Sequence, residues 1–250
     1  KGADEIIFTI GKNQKIEPII LDLWANQLDN FSRLGNAPTS IKPVGLYLNE
    51  MRLIKSNYEI NRMREAAQIS AEGHELLRSC MHSKNNERQL QGVIEGFFLE
   101  KGTRGPAYNT IIASGDNACI LHYTANNSAL KKGDLLLVDA GCSLTDYYNG
   151  DITRTFPLGG KFSGEQRAIY EIVLSAQKHA IENVVVGNSS NFIHYEALKI
   201  LVSGLKDLKL LKGDTDGIIE SGSYKHLYMH QTGHWLGLDV HDVGAYRLGD

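Results

Sequence analysis

Cysteine is scarce in this sequence: Cys80, Cys119 and Cys142 are the only three among 250 residues. No two of them stand in C-x-x-C spacing, so they build neither a disulfide framework nor a cysteine-based zinc site. Small buried thiols in a reducing compartment are the plain reading. Long apolar runs are missing as well. The strongest, Leu135-Leu136-Leu137-Val138, is far too short to cross a bilayer. Basic residues are not in excess, and a formal charge of -3 leaves no footprint for nucleic acid or an anionic membrane. No basic stretch followed by an apolar core opens the chain, so no export signal is visible and a cytoplasmic location is expected. Because the chain opens on Lys1, the true N-terminus is expected further upstream. Tandem repeats and low-complexity segments are absent too, which excludes solenoids and disordered arrays.

What is present divides near residue 50. The first fifty residues hold a short apolar run, Ile19–Trp24, followed by loops and short strands broken by Gly35, Pro38, Pro43 and Gly45. They are too few to bury a core alone, so residues 1–50 are read as the remnant of an N-terminal domain with its linker, and residues 51–250 as an incomplete catalytic domain. Ser56-Asn57-Tyr58-Glu59 is a capping-box pattern that opens a helix from about Asn57 to Ser79. A second helix is predicted over Asn86–Lys101, its stripe being Leu90, Val93, Ile94, Phe97 and Phe98. Strands are predicted at Asn109–Ala113 and Leu135–Ala140. Ser163-Gly164-Glu165-Gln166 caps a long helix to about Val184, another spans Asn191–Leu208, Gly213-Asp214 marks a turn, and a strand-like stretch begins near Tyr228. Helices alternating with hairpin-connected strands give an α+β class.

The chemistry starts where the apolar run ends, in the carboxylate of Asp139. Asp151 follows twelve positions later at the head of a second β-branched run, with turn formers between. If the two runs pair as a hairpin folding back near Thr145, the carboxylates meet. Like charges at close quarters either share a proton or are held by a cation. The alternative is structural, with Asp139 capping its strand and Asp151 paired with Arg154. Further on, His230, His234 and His241 fall within twelve residues. Imidazole with carboxylates is a mixed N/O donor set that suits Mn, Fe, Co or Zn better than Ca or Mg. The i, i+4 spacing of His230 and His234 would fit a helical zinc pair, but Gly233 and Gly237 argue against a helix there. His122 lies in an apolar setting where a histidine alone reads as a core residue.

Several blocks together resemble aminopeptidase P. They are Asp-Ala-Gly-Cys at 139–142, Gly-Asp-Ile-Thr-Arg-Thr-Phe-Pro at 150–157, and His-Trp-Leu-Gly-Leu-Asp-Val-His-Asp-Val-Gly at 234–244. Tyr108-Asn109-Thr110-Ile111 and Ile120-Leu121-His122-Tyr123-Thr124 match the mid-domain motifs of that family, and Met51–Ser56 is similar to its linker into the catalytic domain. The resemblance implies the pita-bread metallopeptidase fold shared with prolidase, methionine aminopeptidase and creatinase.

By that resemblance Asp139, Asp151 and His234 hold two divalent metal ions, Mn2+ in first place with Zn, Co or Fe as alternatives. Two such ions, ~3.5–4 Å apart, would turn a shared water into hydroxide and polarise the scissile carbonyl. His122, His230 and His241 match positions that orient substrate and stabilise the tetrahedral intermediate or leaving group. The implied substrate is a peptide with proline second, released of its first residue; the implied assembly is a homo-oligomer without nucleic acid or membrane. Two departures stand out: family members usually separate the two aspartates by eleven positions, and Gln231 stands where many relatives have glycine. The family also implies two glutamate ligands beyond the last histidine motif, so the 250-residue chain alone is expected to bind metal weakly and be inactive. Prolidase activity and a non-catalytic pita-bread binding module are the competing readings.

Overall fold

The computed structural model describes residues 4–246. They form two compact units, one comprising the residues up to Ser56 with those from Val243 on, the other Asn57–Asp242. In the first unit β1 (Glu5–Ile7) lies parallel to β2 (Ser40–Lys42), with Ile6 opposite Ile41. Between them come α1 (Glu17–Asp29) and α2 (Phe31–Leu34), and α3 (Gly45–Leu53) follows. The apolar run Ile19–Trp24 is therefore part of a helix, and the stretch beyond it, expected as loops and short strands, includes a further helix from Gly45. Neither α1 nor α3 has a side-chain N-cap, which removes the local signal by which a helix start is read. Pro18 sits in the first turn of α1, where its missing N–H costs nothing.

The second unit opens with α4 (Asn57–Cys80) and α5 (Glu87–Glu100), then β3 (Ile111–Ser114), β4 (Leu135–Asp139) and β5 (Thr153–Pro157). The three strands form an antiparallel sheet in the order β3-β4-β5. Asn86 caps α5 by accepting from the Gln89 N–H, a contact of about 1 kcal/mol. Leu90, Ile94 and Phe98, at successive steps of four on α5, are fully buried against Leu77 of α4 and Ile112, Leu136 and Val138 of the sheet. Each such side chain contributes about 1.5–3 kcal/mol by leaving water. A Cβ on Gly73 of α4 would lie 2.7 Å from the Phe98 ring, so the two helices pack this closely only because position 73 has no side chain.

Three more helices complete the unit: α6 (Gly164–Glu182), α7 (Ser190–Asp207) and α8 (Thr215–Ser221). The Ser163 capping box on α6 is formed in both directions. Asp214, read as part of a turn, is also the N-cap of α8 and accepts from the Gly217 N–H, and left-handed Gly222 ends that helix. The strand expected near Tyr228 does not form among the described residues. Its polar groups are used elsewhere: the Gly237 and Leu238 carbonyls accept from Asn149, and the Asp242 N–H donates to the Trp235 carbonyl.

Candidate metal centre

The aspartates meet through strand pairing. Asp139 stands opposite Thr153 in the β4–β5 ladder. The same register continues past the strands: the Ala140 N–H donates to the Ile152 carbonyl, the Gly150 N–H to the Cys142 carbonyl, and the Leu144 N–H to the Tyr148 carbonyl. The turn is confined to residues 145–147, with Tyr147 left-handed at φ 74°. A three-residue turn ending in a left-handed residue is a common hairpin closure. Side chains alternate along a strand, so buried Leu136 and Val138 face the core while Asp139 points to the other face. Asp151 is its diagonal neighbour on that same face.

Just here the two arms approach closely and turn polar groups toward α4. A Cβ on Gly141 would sit 1.8 Å from the Gly150 carbonyl oxygen, and one on Gly150 would meet Ser70 Oγ at 2.3 Å and the Ala66 carbonyl at 2.7 Å. Ser70 Oγ accepts from the Cys142 N–H at 3.0 Å, and His74 Nε2 donates to the Ala140 carbonyl at 3.0 Å. Four residues along a helix advance about 6 Å and two along a strand about 6.6 Å, so Ser70 and His74 match alternate residues of the hairpin. Burial pushes the His74 imidazole down from its ordinary pKa, consistent with a neutral donor.

From the other side, the chain at 104–107 runs beside Gly141–Ser143, the Ala107 N–H donating to the Gly141 carbonyl. This places Tyr108 over both carboxylates, its hydroxyl 2.6 Å from Asp139 Oδ1 and 2.9 Å from Asp151 Oδ1. Burial, then the two neighbouring charges, push the phenol far above its ordinary pKa. Burial also raises the Asp139 carboxyl, and the Asp151 charge adds to it, against the hydrogen bonds from Tyr108 and Thr153.

His234 arrives from the irregular segment after Tyr228, which buried Asn149 fixes to the hairpin through the Gly237 and Leu238 carbonyls. Its Nδ1 lies 2.8 Å from the Trp235 carbonyl and its Nε2 3.1 Å from Asp151 Oδ2. The His241 ring packs on it with centroids 4.2 Å apart. His230 turns Nδ1 to the Gln231 carbonyl, and exposed His122 stands at φ 54° in the loop after β3. Among the described residues, neither of these two joins the contacts of the aspartates, and no three His, Cys, Asp or Glu side chains already surround a point where an ion would sit.

Tyr108 and His234 both stand where a cation would add to the contacts of the aspartates. A phenol has a single proton and cannot donate to two ionised carboxylates at once. A carbonyl can only accept, so Nδ1 of His234 carries a proton toward Trp235, which leaves Nε2 facing the Asp151 carboxylate. A divalent cation among Asp139, Asp151 and His234 would balance the paired carboxylates and take the Nε2 lone pair, the Trp235 carbonyl then fixing the tautomer as it does for metal-binding histidines. The donor set fits a metal. Tyr108, Ser70, His74 and Asn149, all part of this arrangement, had no assigned role in the sequence reading; Tyr108 was marked only as a block of resemblance and Asn149 only as a turn former.

The profile of metallopeptidase family M24 matches residues 61–249. The chain belongs to metallopeptidase family M24. Over 199 residues it is 53% identical to a Xaa-Pro aminopeptidase of Haemophilus influenzae, covering 80% of this chain and 46% of that protein. With the Xaa-Pro aminopeptidase of Escherichia coli the identity is 46%, covering 80% and 45%. Among solved structures, aminopeptidase PepP of Pseudomonas aeruginosa superposes with a TM-score of 0.89 at 42% identity, covering 98% of this chain and 55% of that one. Zinc-substituted E. coli aminopeptidase P in complex with product gives 0.88 at 40%, covering 97% and 55%. The M24 chain has the α+β pita-bread fold of these structures and spans about half the length of the relatives it matches. M24 membership carries with it a divalent-metal chemistry, and no helix among the described residues is long and apolar enough to cross a membrane.

Proposed function

We propose that the protein is a cytoplasmic, homo-oligomeric metallo-aminopeptidase that releases the first residue of peptides whose second residue is proline. The observation that carries this reading is the convergence of Asp139 and Asp151 under the Tyr108 hydroxyl, with His234 set against Asp151. The Xaa-Pro aminopeptidases at 53% and 46% identity support the substrate class. In this reading Asp139, Asp151 and His234 would hold two divalent ions, and the catalytic unit begins near residue 51. Mn2+ is the proposed metal, with Zn, Co and Fe taking the same donors.

Divalent ions in this set supply positive charge that makes water nucleophilic near neutral pH and polarises the scissile carbonyl. The chain's own work is to place groups around that carbonyl. Tyr108 and α4 hold the two carboxylates in fixed positions, so little reorganisation is needed as charge develops. His241, packed on His234, and His230 and His122 orient the peptide, hold the negative charge of the tetrahedral intermediate and pass a proton to the departing nitrogen. That nitrogen, like any amide nitrogen, must gain a proton as its C–N bond breaks; because it belongs to proline it carries no N–H in the peptide for the site to bind.

Cleavage of X-Pro-Y and X-Pro peptides by the intact protein, with and without a chelator, tests the proposal. Chelator-sensitive release of X from X-Pro-Y supports it. Cleavage confined to X-Pro makes the protein a prolidase, and no cleavage of either with metal present makes it a binding module.

A further inference from the structure

Glu87 is a carboxylate with no exposed surface, at the first turn of α5, away from the aspartate pair. Five donors converge on it. Oε1 accepts from the Ser114 N–H at 2.9 Å, Ser114 Oγ at 2.8 Å and Asn117 Nδ2 at 3.0 Å. Oε2 accepts from the Tyr123 hydroxyl at 2.8 Å and the Ser128 N–H at 2.9 Å. Its own N–H donates to the Ser128 carbonyl at 3.0 Å. Burial opposes the charge, but the donors from Asn117, Ser128, Ser114 and Tyr123 outweigh it and hold the carboxyl below its ordinary pKa.

These donors bracket one loop. Ser114 and Ser128 are its two ends, and Asn117 and Tyr123 lie within it. The loop has little apolar anchorage, since Ile120 and Leu121 are 56% and 57% exposed. It also holds two non-glycine residues in left-handed backbone, His122 at φ 54° and Asn126 at φ 46°, a conformation that persists only where surroundings enforce it. Asn126 is buried and bonds the Ile112 N–H and the Thr110 carbonyl. Polar staples, not hydrophobic burial, set this loop.

We propose that Glu87 is a positioning residue that orders the 115–128 loop and thereby fixes where His122 stands. The link to catalysis rests on the role given to His122 above; the ordering of the loop does not.

Glu87→Gln in the intact protein is the informative change. An amide replaces one acceptor by a donor, and on the Oε2 side it meets the Ser128 N–H donor to donor. Hydrogen exchange should accelerate about tenfold or more across 115–128, as loss of a charge-assisted bond implies, while α5 and β4 exchange as before. Metal content should be unchanged. On an X-Pro-Y peptide, the loss in kcat/KM for Glu87→Gln with His122→Ala should equal that of the worse single variant and not their product. Unchanged exchange across 115–128, or acceleration spread evenly over the chain, overturns the proposal, as do multiplicative losses. Local acceleration with a fully active His122→Ala protein leaves the loop assignment standing and removes His122 from the catalytic reading. Tyr123→Phe deletes one of the five donors and should show the same local acceleration at smaller amplitude, which keeps the test decisive if Glu87→Gln fails to fold.

Discussion

Gly141 lies so close to Gly150 that a Cβ on Gly141 would stand 1.8 Å from the Gly150 carbonyl oxygen. The clash is with backbone, not with a movable side chain end, so Gly141→Ala must spread the two arms that carry Asp139 and Asp151. Overpacking of this kind costs about 1–3 kcal/mol. We expect Gly141→Ala to lose about 2 kcal/mol or more in denaturant unfolding and to weaken metal binding. A stable Gly141→Ala protein with unchanged metal affinity would show that the arms do not need to approach this closely.

The tip of the same hairpin is tied to α4 by charge. Arg62 forks onto Asp146 with Nε at 2.7 Å and a second nitrogen at 3.1 Å, and the Tyr58 hydroxyl donates to the same carboxylate. Arg62 holds the Asp146 carboxyl below its ordinary pKa. A depressed folded-state pKa contributes stability that is present above the unfolded value, about 3.9, and is lost as pH falls through the folded one. The stability gap between the wild type and Asp146→Asn should therefore be constant from pH 6 to 8 and close as pH falls below about 4. A gap independent of pH would mean that the ion pair contributes nothing beyond shape.

The histidines should separate into two groups. His122→Ala, His230→Ala and His241→Ala are expected to keep bound metal and lose kcat, by about 10²–10⁴ for a residue that moves a proton. His234→Ala should lose both together. Parallel metal analysis and steady-state kinetics distinguish the groups, and a metal-free His241→Ala protein would move His241 into the ligand set.

Sequence carried the centre further than its surroundings. The two β-branched runs and the turn formers between them were enough to place Asp139 and Asp151 on one hairpin, because pairing follows from local pattern. The helices α4, α5, α6 and α7 were legible from caps and apolar stripes. Ser70 and His74 were not, since a serine and a histidine on a helix look alike whether they only pack or, as here, accept from and donate to the backbone of a hairpin. Glu87 has no signal in the sequence, because only the long-range return of Ser114 and Ser128 makes it a hub. The expected strand near Tyr228 failed because the segment's polar groups are taken by Asn149 and by its own turns. The segments α1 and α3 were missed because they start without side-chain caps.

Metal content is the most direct test of the central claim that Asp139, Asp151 and His234 form a metal centre. Elemental analysis of the intact protein, purified without chelator, should find bound divalent metal, and Asp151→Asn should lose it together with X-Pro-Y cleavage. An Asp151→Asn protein that retains its metal and its activity would contradict the account.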